Sequence, residues 1–232
     1  MDTDHTVVEQ RLLDEALRPG TVALDAGCGR TTRLRDYRDR IVRLVGVDSD
    51  EAAGSENPYL DEFVAADLDE PLPFADAGFD LVYANFVVEH LEHPGRAFAE
   101  WRRVLRPAGR LVLLTTNRAS PLMAASARVP QSVRLAVKRR GAGAVERDVY
   151  PTSYLANTPD RLAETAARAG FVPVSVVFVA TLHRYGARLP GAGSLLTAAE
   201  RALPEARRST IVASYRPDPA GLTSSSSSPS GP

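Results

Sequence analysis

Two glycines one residue apart follow a compact apolar run in Leu24-Asp-Ala-Gly-Cys-Gly-Arg-Thr-Thr32. Without a Cβ, Gly27 and Gly29 let the backbone pass close to a ligand, as at the first strand-to-helix turn of open α/β sheets. A dinucleotide fingerprint would carry glycine where Thr32 stands, so a pyrophosphate is disfavoured. No Gly-Lys-Ser/Thr follows to make a Walker loop. Asp48 ends a second apolar run about 20 residues further on, where a carboxylate can accept hydrogen bonds from ribose hydroxyls. Asp67 closes a third run in Val64-Ala-Ala-Asp-Leu68 and can accept from an adenine amino group. A ribose without pyrophosphate is the economical reading. Either aspartate alone also fits a helix cap or a solvated loop, and the glycine pair alone fits an ordinary turn. The ordered set at successive run ends is harder to dismiss.

Such residues need a sheet to bring them to one edge. Thr21–Leu24, Leu44–Val47, Phe63–Ala66, Phe79–Ala84 and Leu111–Leu114 are short continuous apolar runs, which suit strands covered on both faces. Leu12–Leu17 predicts a short amphipathic helix ended by Arg18-Pro-Gly20. In Gly95–Leu105 the residues Phe98, Trp101, Val104 and Leu105 fall at helical spacing, and Arg106-Pro-Ala-Gly109 stops that helix. Pro159–Ala169 predicts a third helix, with Thr158 as N-cap and Gly170 as its stop. Val174–Thr181 and Thr210–Tyr215 add two β-branched strands, and the alternation indicates an α/β fold.

The chain has 232 residues, 44% of them hydrophobic, which suits one domain, expected over residues 1–215. A formal net charge of -1 argues against a nucleic-acid binder. Cys28 is the only cysteine, so neither a disulfide framework nor a multi-thiolate metal site forms within the chain, which suits a reducing cytoplasm. Met1–Thr6 resembles no secretory leader, and no apolar run approaches the roughly 20 residues of a membrane span. A cytoplasmic protein without stable membrane insertion is expected. Residues 216–232, rich in serine and proline, predict a disordered tail.

Leu24-Asp-Ala-Gly-Cys-Gly29, Gly46-Val-Asp48, Ala66-Asp-Leu68, Phe79-Asp-Leu-Val-Tyr-Ala-Asn-Phe-Val-Val-Glu-His90 and Val104-Leu-Arg-Pro-Ala-Gly-Arg-Leu111 resemble the successive motifs of class I S-adenosylmethionine-dependent methyltransferases. The resemblance is to the small-molecule branch that includes ubiquinone and menaquinone methyltransferases. It runs from Val22 to Thr116 and more loosely to Tyr215. It implies a Rossmann-like, seven-stranded, mostly parallel sheet with an antiparallel last strand and helices on both faces. The implied cofactor is S-adenosyl-L-methionine, with S-adenosyl-L-homocysteine as product. By this resemblance Asp25 would orient the methionine amino group, and the backbone of Ala26, Gly27, Cys28 and Gly29 would wrap the carboxypropyl chain. Asp48 would take the ribose hydroxyls, with Ser49 in the same cofactor set. Asp67 would meet the adenine amino group, the backbone of Leu68 the adenine ring, and Asn85 the sulfonium end. Thr31 stands where relatives commonly carry glycine, and its Cβ could crowd the cofactor. Glu56–Phe63 and Asp148–Thr158 are similar to an uncharacterised bacterial subgroup of the family.

Methyl transfer from a sulfonium is an in-line displacement, accelerated by holding the reacting atoms in line. An alcohol or phenol acceptor must also lose a proton. His90 is the expected catalytic base, with Glu89 and His93 as neighbours that could orient or replace it; the alternative is that His90 packs the start of a helix. Cys28 has no covalent step to perform. No metal is expected, since Glu89, His90 and His93 lack zinc-helix spacing. A substrate cover is expected over residues 118–157. Arg128, Arg134, Lys138, Arg139 and Arg140 give it a basic face, which would be a solvated surface or would attract an anionic substrate or a membrane surface. Asn117, Tyr150, Tyr154 and Asn157 are expected to line the pocket of a small-molecule acceptor such as a sugar, nucleoside or other biosynthetic intermediate. The protein is expected to act as a monomer or homodimer. The alternative function is a protein of the same fold that binds the cofactor for non-methylation chemistry, or serves as a non-catalytic partner subunit.

Overall fold

The computed structural model describes residues 5–126, 151–181 and 192–222. Its centre is a seven-stranded sheet in the order β3-β2-β1-β4-β5-β7-β6. The strands are β1 (Thr21–Ala26), β2 (Ile41–Asp48), β3 (Glu62–Ala65), β4 (Phe79–Asn85), β5 (Leu105–Thr116), β6 (Phe171–Val179) and β7 (Thr210–Pro217). β3, β2, β1, β4 and β5 are mutually parallel, while β7 runs antiparallel to both β5 and β6. The expected fold class is the observed one. β1 is flanked by β2 on one side and β4 on the other, which makes the ends of β1 and β4 the switch point where open α/β sheets bind ligands.

Alternation along the strands feeds two apolar layers. Leu24 and Ala26 of β1, Val82 and Ala84 of β4, and Leu111 and Leu113 of β5 join one layer; Ala23, Leu81, Tyr83, Val112 and Leu114 join the other. Helix α1 (His5–Ala16) covers the second layer with Val8, Leu12 and Leu13. It begins seven residues before the expected Leu12 because its first turns bury His5 and Glu9, polar residues that hide the helical period. A five-residue helix α2 (Glu51–Ser55), capped by Asp50, precedes β3.

Helix α3 (Pro94–Val104) covers the first layer with Ala97, Phe98, Trp101 and Val104, an i, i+4, i+7 stripe behind a proline in the first turn. β5 starts at once at Leu105, and its register with β4 shifts between Phe79/Leu105 and Leu81/Arg110 to absorb the Arg106–Gly109 turn. A short helix α4 (Pro121–Ser126) follows β5. Helix α5 (Pro159–Arg168) carries the expected Thr158 cap, and Gly170, at φ +80°, lets the chain reverse into β6. Helix α6 (Ala192–Arg201) lies between β6 and β7. Strand pairing continues to Pro217 against Phe171, past the expected boundary at 215 and into the stretch expected to be a disordered tail. Residues 223–232 of that tail, most of the basic cover (127–150, with Tyr150) and His183 lie outside the described residues.

Trp101 is wholly buried, with its ring 4.8 Å from that of Phe98, which in turn meets Phe171 edge-on at 6.4 Å. Trp101→Ala is expected to cost about 3–5 kcal/mol of stability, read from urea unfolding.

Candidate active site

The ends of β1, β2 and β4 converge on the loop from Ala26 to Gly29. Gly27 and Gly29 adopt φ of +76° and +47°, left-handed values that favour glycine. A Cβ on Gly27 would meet Val87 Cγ2 at 2.4 Å, so glycine is also required by the approach of the segment after β4. The Gly27 amide donates to the Val47 carbonyl (2.7 Å) and the Gly29 amide to Asp48 Oδ2 (2.9 Å). Asp48 Oδ1 accepts from the Asp50 amide (2.9 Å). Each oxygen of this half-buried carboxylate retains a second lone pair for a ligand hydroxyl. Ser49 is exposed in the bend beyond it.

Two residues with no assigned role in the sequence reading brace this edge. Asn57 is buried and its Nδ2 donates to the carbonyls of Cys28 (3.3 Å) and Gly29 (3.1 Å). Asp69 accepts from the amides of Glu92 (2.8 Å) and His93 (2.7 Å), tying the chain after β3 to the start of α3. Asn57 had a signal, the Asn-Pro step within the subgroup-like Glu56–Phe63 stretch. Asp69, one acid among several, had none.

Asp25 is buried, and desolvation raises its carboxyl from 3.8 to about 7; a hydrogen bond from Thr32 opposes the shift and the nearby Asp48 charge adds to it. Thr32 also caps the 3₁₀ turn Arg33–Tyr37 by accepting from the Leu34 amide (3.0 Å). Thr31 is exposed and its hydroxyl accepts from Arg35. Cys28 is buried, and desolvation together with Asp25 and Asp48 pushes its thiol well above the ordinary range, so it packs as a neutral group.

Asp67 is exposed, with Oδ1 accepting from the Asp69 amide (2.9 Å), and Leu68 beside it is buried in the first apolar layer. Asn85 ends β4 with its Oδ1 buried and without a hydrogen-bond partner among the described residues, and Phe86 next to it is held at φ +55°. Strain of this kind persists where the surroundings over-determine the backbone.

Glu89 is buried and accepts at Oε2 from the Thr115 hydroxyl (2.7 Å), to which Asn157 Nδ2 donates (2.5 Å). Burial raises its carboxyl above the ordinary value, while Thr115, backbone amides and His90 pull it back. His90 Nδ1 lies 2.5 Å from the Pro151 carbonyl; that oxygen can only accept, so Nδ1 carries the hydrogen and Nε2 is the basic nitrogen of the neutral ring. His93 is exposed at the cap of α3. Tyr154 is half-buried at φ +54°, with the Arg118 guanidinium 4.6 Å from its ring centre. Asn117 departs from its expected role at the acceptor. It is wholly buried and its Nδ2 donates to the carbonyls of Ala206 (2.9 Å) and Arg208 (2.7 Å), so its amide hydrogens are spent on stapling the start of β7. Among the described residues no group of three or more His, Cys, Asp or Glu side chains could hold a metal, and no helix is long and apolar enough to cross a membrane.

Sheet order, antiparallel β7 and the glycine loop at the switch point define the class I methyltransferase fold. Residues 24–113 match the family model described as "Methyltransferase domain". The chain is 31% identical over 169 residues to a malonyl-[acyl-carrier protein] O-methyltransferase of Pseudescherichia vulneris, covering 69% of this chain and 60% of that protein. It is 34% identical over 99 residues to the demethylmenaquinone methyltransferase of Renibacterium salmoninarum, covering 41% of each. The chain thus spans less than two thirds of either relative. Among solved structures, an S-adenosylmethionine-dependent methyltransferase from Mesorhizobium loti superposes with a TM-score of 0.58 at 21% identity, covering 90% of this chain and 95% of that one, a likeness of fold.

The unfolded chain gives up the Asp25 proton near 3.8, whereas the folded chain holds it to about 7. Stability from this group is therefore present below the lower value and is lost as pH rises through the upper one. Asp25→Asn is expected to flatten that decline, by up to about 1.4 kcal/mol for each pH unit between the two values, as measured by thermal melts across the window.

Proposed function

We propose that this chain is an S-adenosylmethionine-dependent methyltransferase acting on a small-molecule acceptor. The observation that carries the reading is the left-handed glycine loop, fastened by Asp48 and Asn57, beside a buried acid whose carboxyl desolvation raises. The acceptor groups present fit the cofactor. Asp25 and the orphan Asn85 Oδ1 suit an ammonium or other hydrogen-bond donor, the remaining lone pairs of Asp48 suit ribose hydroxyls, and nothing at the loop demands phosphate. Ala26 to Gly29 would line the amino-acid portion, with Asp67 and Leu68 on the adenine side. When bound, S-adenosylmethionine supplies a methyl group on a positively charged sulfur.

The chain's own groups then have separable tasks. Asp48 and Asp25 fix the orientation of the cofactor. Nε2 of His90 accepts the proton of an acceptor hydroxyl, and the Nδ1 hydrogen bond to Pro151 keeps the ring turned for it. Tyr154 belongs to the acceptor side, as does Tyr150 by expectation, whereas Asn157 departs from its expected place there: it is wholly buried and both its amide hydrogens are spent on Thr115 and Thr116. The reading includes an acceptor among small biosynthetic intermediates, action in the cytoplasm and a monomeric or homodimeric state. The curated relatives, named for methylation of an acyl-carrier-bound malonyl group and of a demethylmenaquinone, support the reaction class.

Calorimetric titration with S-adenosylmethionine, S-adenosylhomocysteine and NAD in parallel tests this directly. The first two are expected to bind and NAD is not; binding of NAD alone would reverse the reading. Asp48→Ala is expected to weaken S-adenosylmethionine about 10- to 100-fold, the worth of hydrogen bonds to a charged group. His90→Ala should leave that affinity intact and lower turnover roughly a hundred- to ten-thousand-fold, followed by mass spectrometry of methylated product.

A further inference from the structure

Residues 151–157 form a strap whose bonds converge on two consecutive residues, Glu89 and His90. The Pro151 carbonyl accepts from His90 Nδ1, and the amides of Ser153 (2.8 Å) and Tyr154 (3.0 Å) both donate to the Glu89 carbonyl. At the strap's far end Asn157 is wholly buried. Its carbonyl accepts from the Arg118 amide (2.7 Å), and its Nδ2 donates to the Thr116 carbonyl (3.2 Å) and the Thr115 hydroxyl.

The polarity of this chain is fixed by chemistry. An amide nitrogen can only donate, so the Thr115 oxygen accepts from Asn157 and turns its own hydrogen to Glu89 Oε2. The strap is thereby clasped at both ends of Glu89, main chain and side chain. Its effect at the open end is to hold the Pro151 carbonyl against one nitrogen of one histidine.

We propose that Asn157, Thr115 and Glu89 are positioning residues that lock His90 in the Nδ1–H tautomer, so that the basic lone pair sits on Nε2. The neutral imidazole of an isolated histidine favours the opposite tautomer, so the strap must impose this one. The inference rests on the reading of His90 as proton acceptor for its consequence in catalysis, but the tautomer is observable without substrate or cofactor.

The test is long-range proton–nitrogen NMR of the full chain labelled with ¹⁵N-histidine, at a pH where the ring is neutral, with the His90 signals assigned by their loss in His90→Gln. The wild type is expected to show a protonated Nδ1 and a bare Nε2. Thr115→Val and Asn157→Leu are expected to shift the His90 population toward Nε2–H, while Thr115→Ser, which restores the hydroxyl, keeps the wild-type pattern. Folded Thr115→Val and Asn157→Leu proteins with an unchanged Nδ1–H signature would reduce the relay to structural support and overturn the proposal. If neither variant folds, the wild-type spectrum decides, since Nε2–H there overturns it outright. An active His90→Ala enzyme would refute the base assignment and leave the tautomer result standing, so the two failures are distinguishable.

Discussion

The approach of two loops at the sheet's switch point constrains everything else at this edge. Val87 stands where a Cβ on Gly27 would be, so the turns after β1 and β4 can touch only because position 27 is glycine in a left-handed conformation. That contact sets Asp25–Gly29 beside Asn85–His90. The bond from Gly29 to Asp48 carries the constraint to β2, and the Asp69 carboxylate carries it from the end of β3 to the entry of α3. The ends of the parallel strands thus form one braced rim, built largely from backbone amides donating to carboxylates, bonds about twice as strong as neutral ones.

Two buried acids sit at this rim with opposite endowments. Strand alternation sends Asp25 toward the α1 layer, with Ala23, and Thr115 toward the α3 layer, with Leu111 and Leu113. Glu89, bonded to Thr115, receives a hydroxyl and backbone amides, so the protein itself satisfies it. Asp25 receives a hydrogen bond from Thr32 that does not offset its desolvation, and a neighbouring acid aggravates its position. A group left short of donors in the resting protein is one whose deficit a ligand can relieve, whereas a satisfied group is part of the frame. The α1 layer tolerates polarity elsewhere too: Glu9 is buried against the Tyr83 hydroxyl, with Arg33 3.7 Å away.

Much of this was legible in the sequence because the signals are local. Continuous apolar runs marked the strands, Thr158-Pro159 marked the start of α5, and the glycine pair marked the loop. Residues whose meaning depends on distant partners were not legible. Asn117 looked available for an acceptor, yet its partners are carbonyls of Ala206 and Arg208, far along the chain. Asp69 looked like one more surface acid. The threonines after the loop divide in a way that spacing alone does not reveal: Thr31 faces solvent and engages Arg35, while Thr32 turns inward to Asp25 and caps the following turn. Thr32 gives the non-glycine residue at its position a structural reason.

The same distinction explains why reaction class is easier to read than acceptor. The proposed cofactor side runs from β1 to β4, within about 70 residues of continuous sequence whose turns are built on backbone geometry, the feature short motifs encode best. The proposed acceptor side depends on a strap brought back from residues 151–157, past the whole of β5, and held by side chains of Thr115 and Asn157 that no spacing rule links. The strap meets the rim through the Glu89 carbonyl and the His90 imidazole, and through Asn157 it also reaches Thr115 and Thr116 at the end of β5. Backbone bonds of the kind short motifs encode thus meet side-chain bonds that they do not, and this junction fixes the two halves to one another.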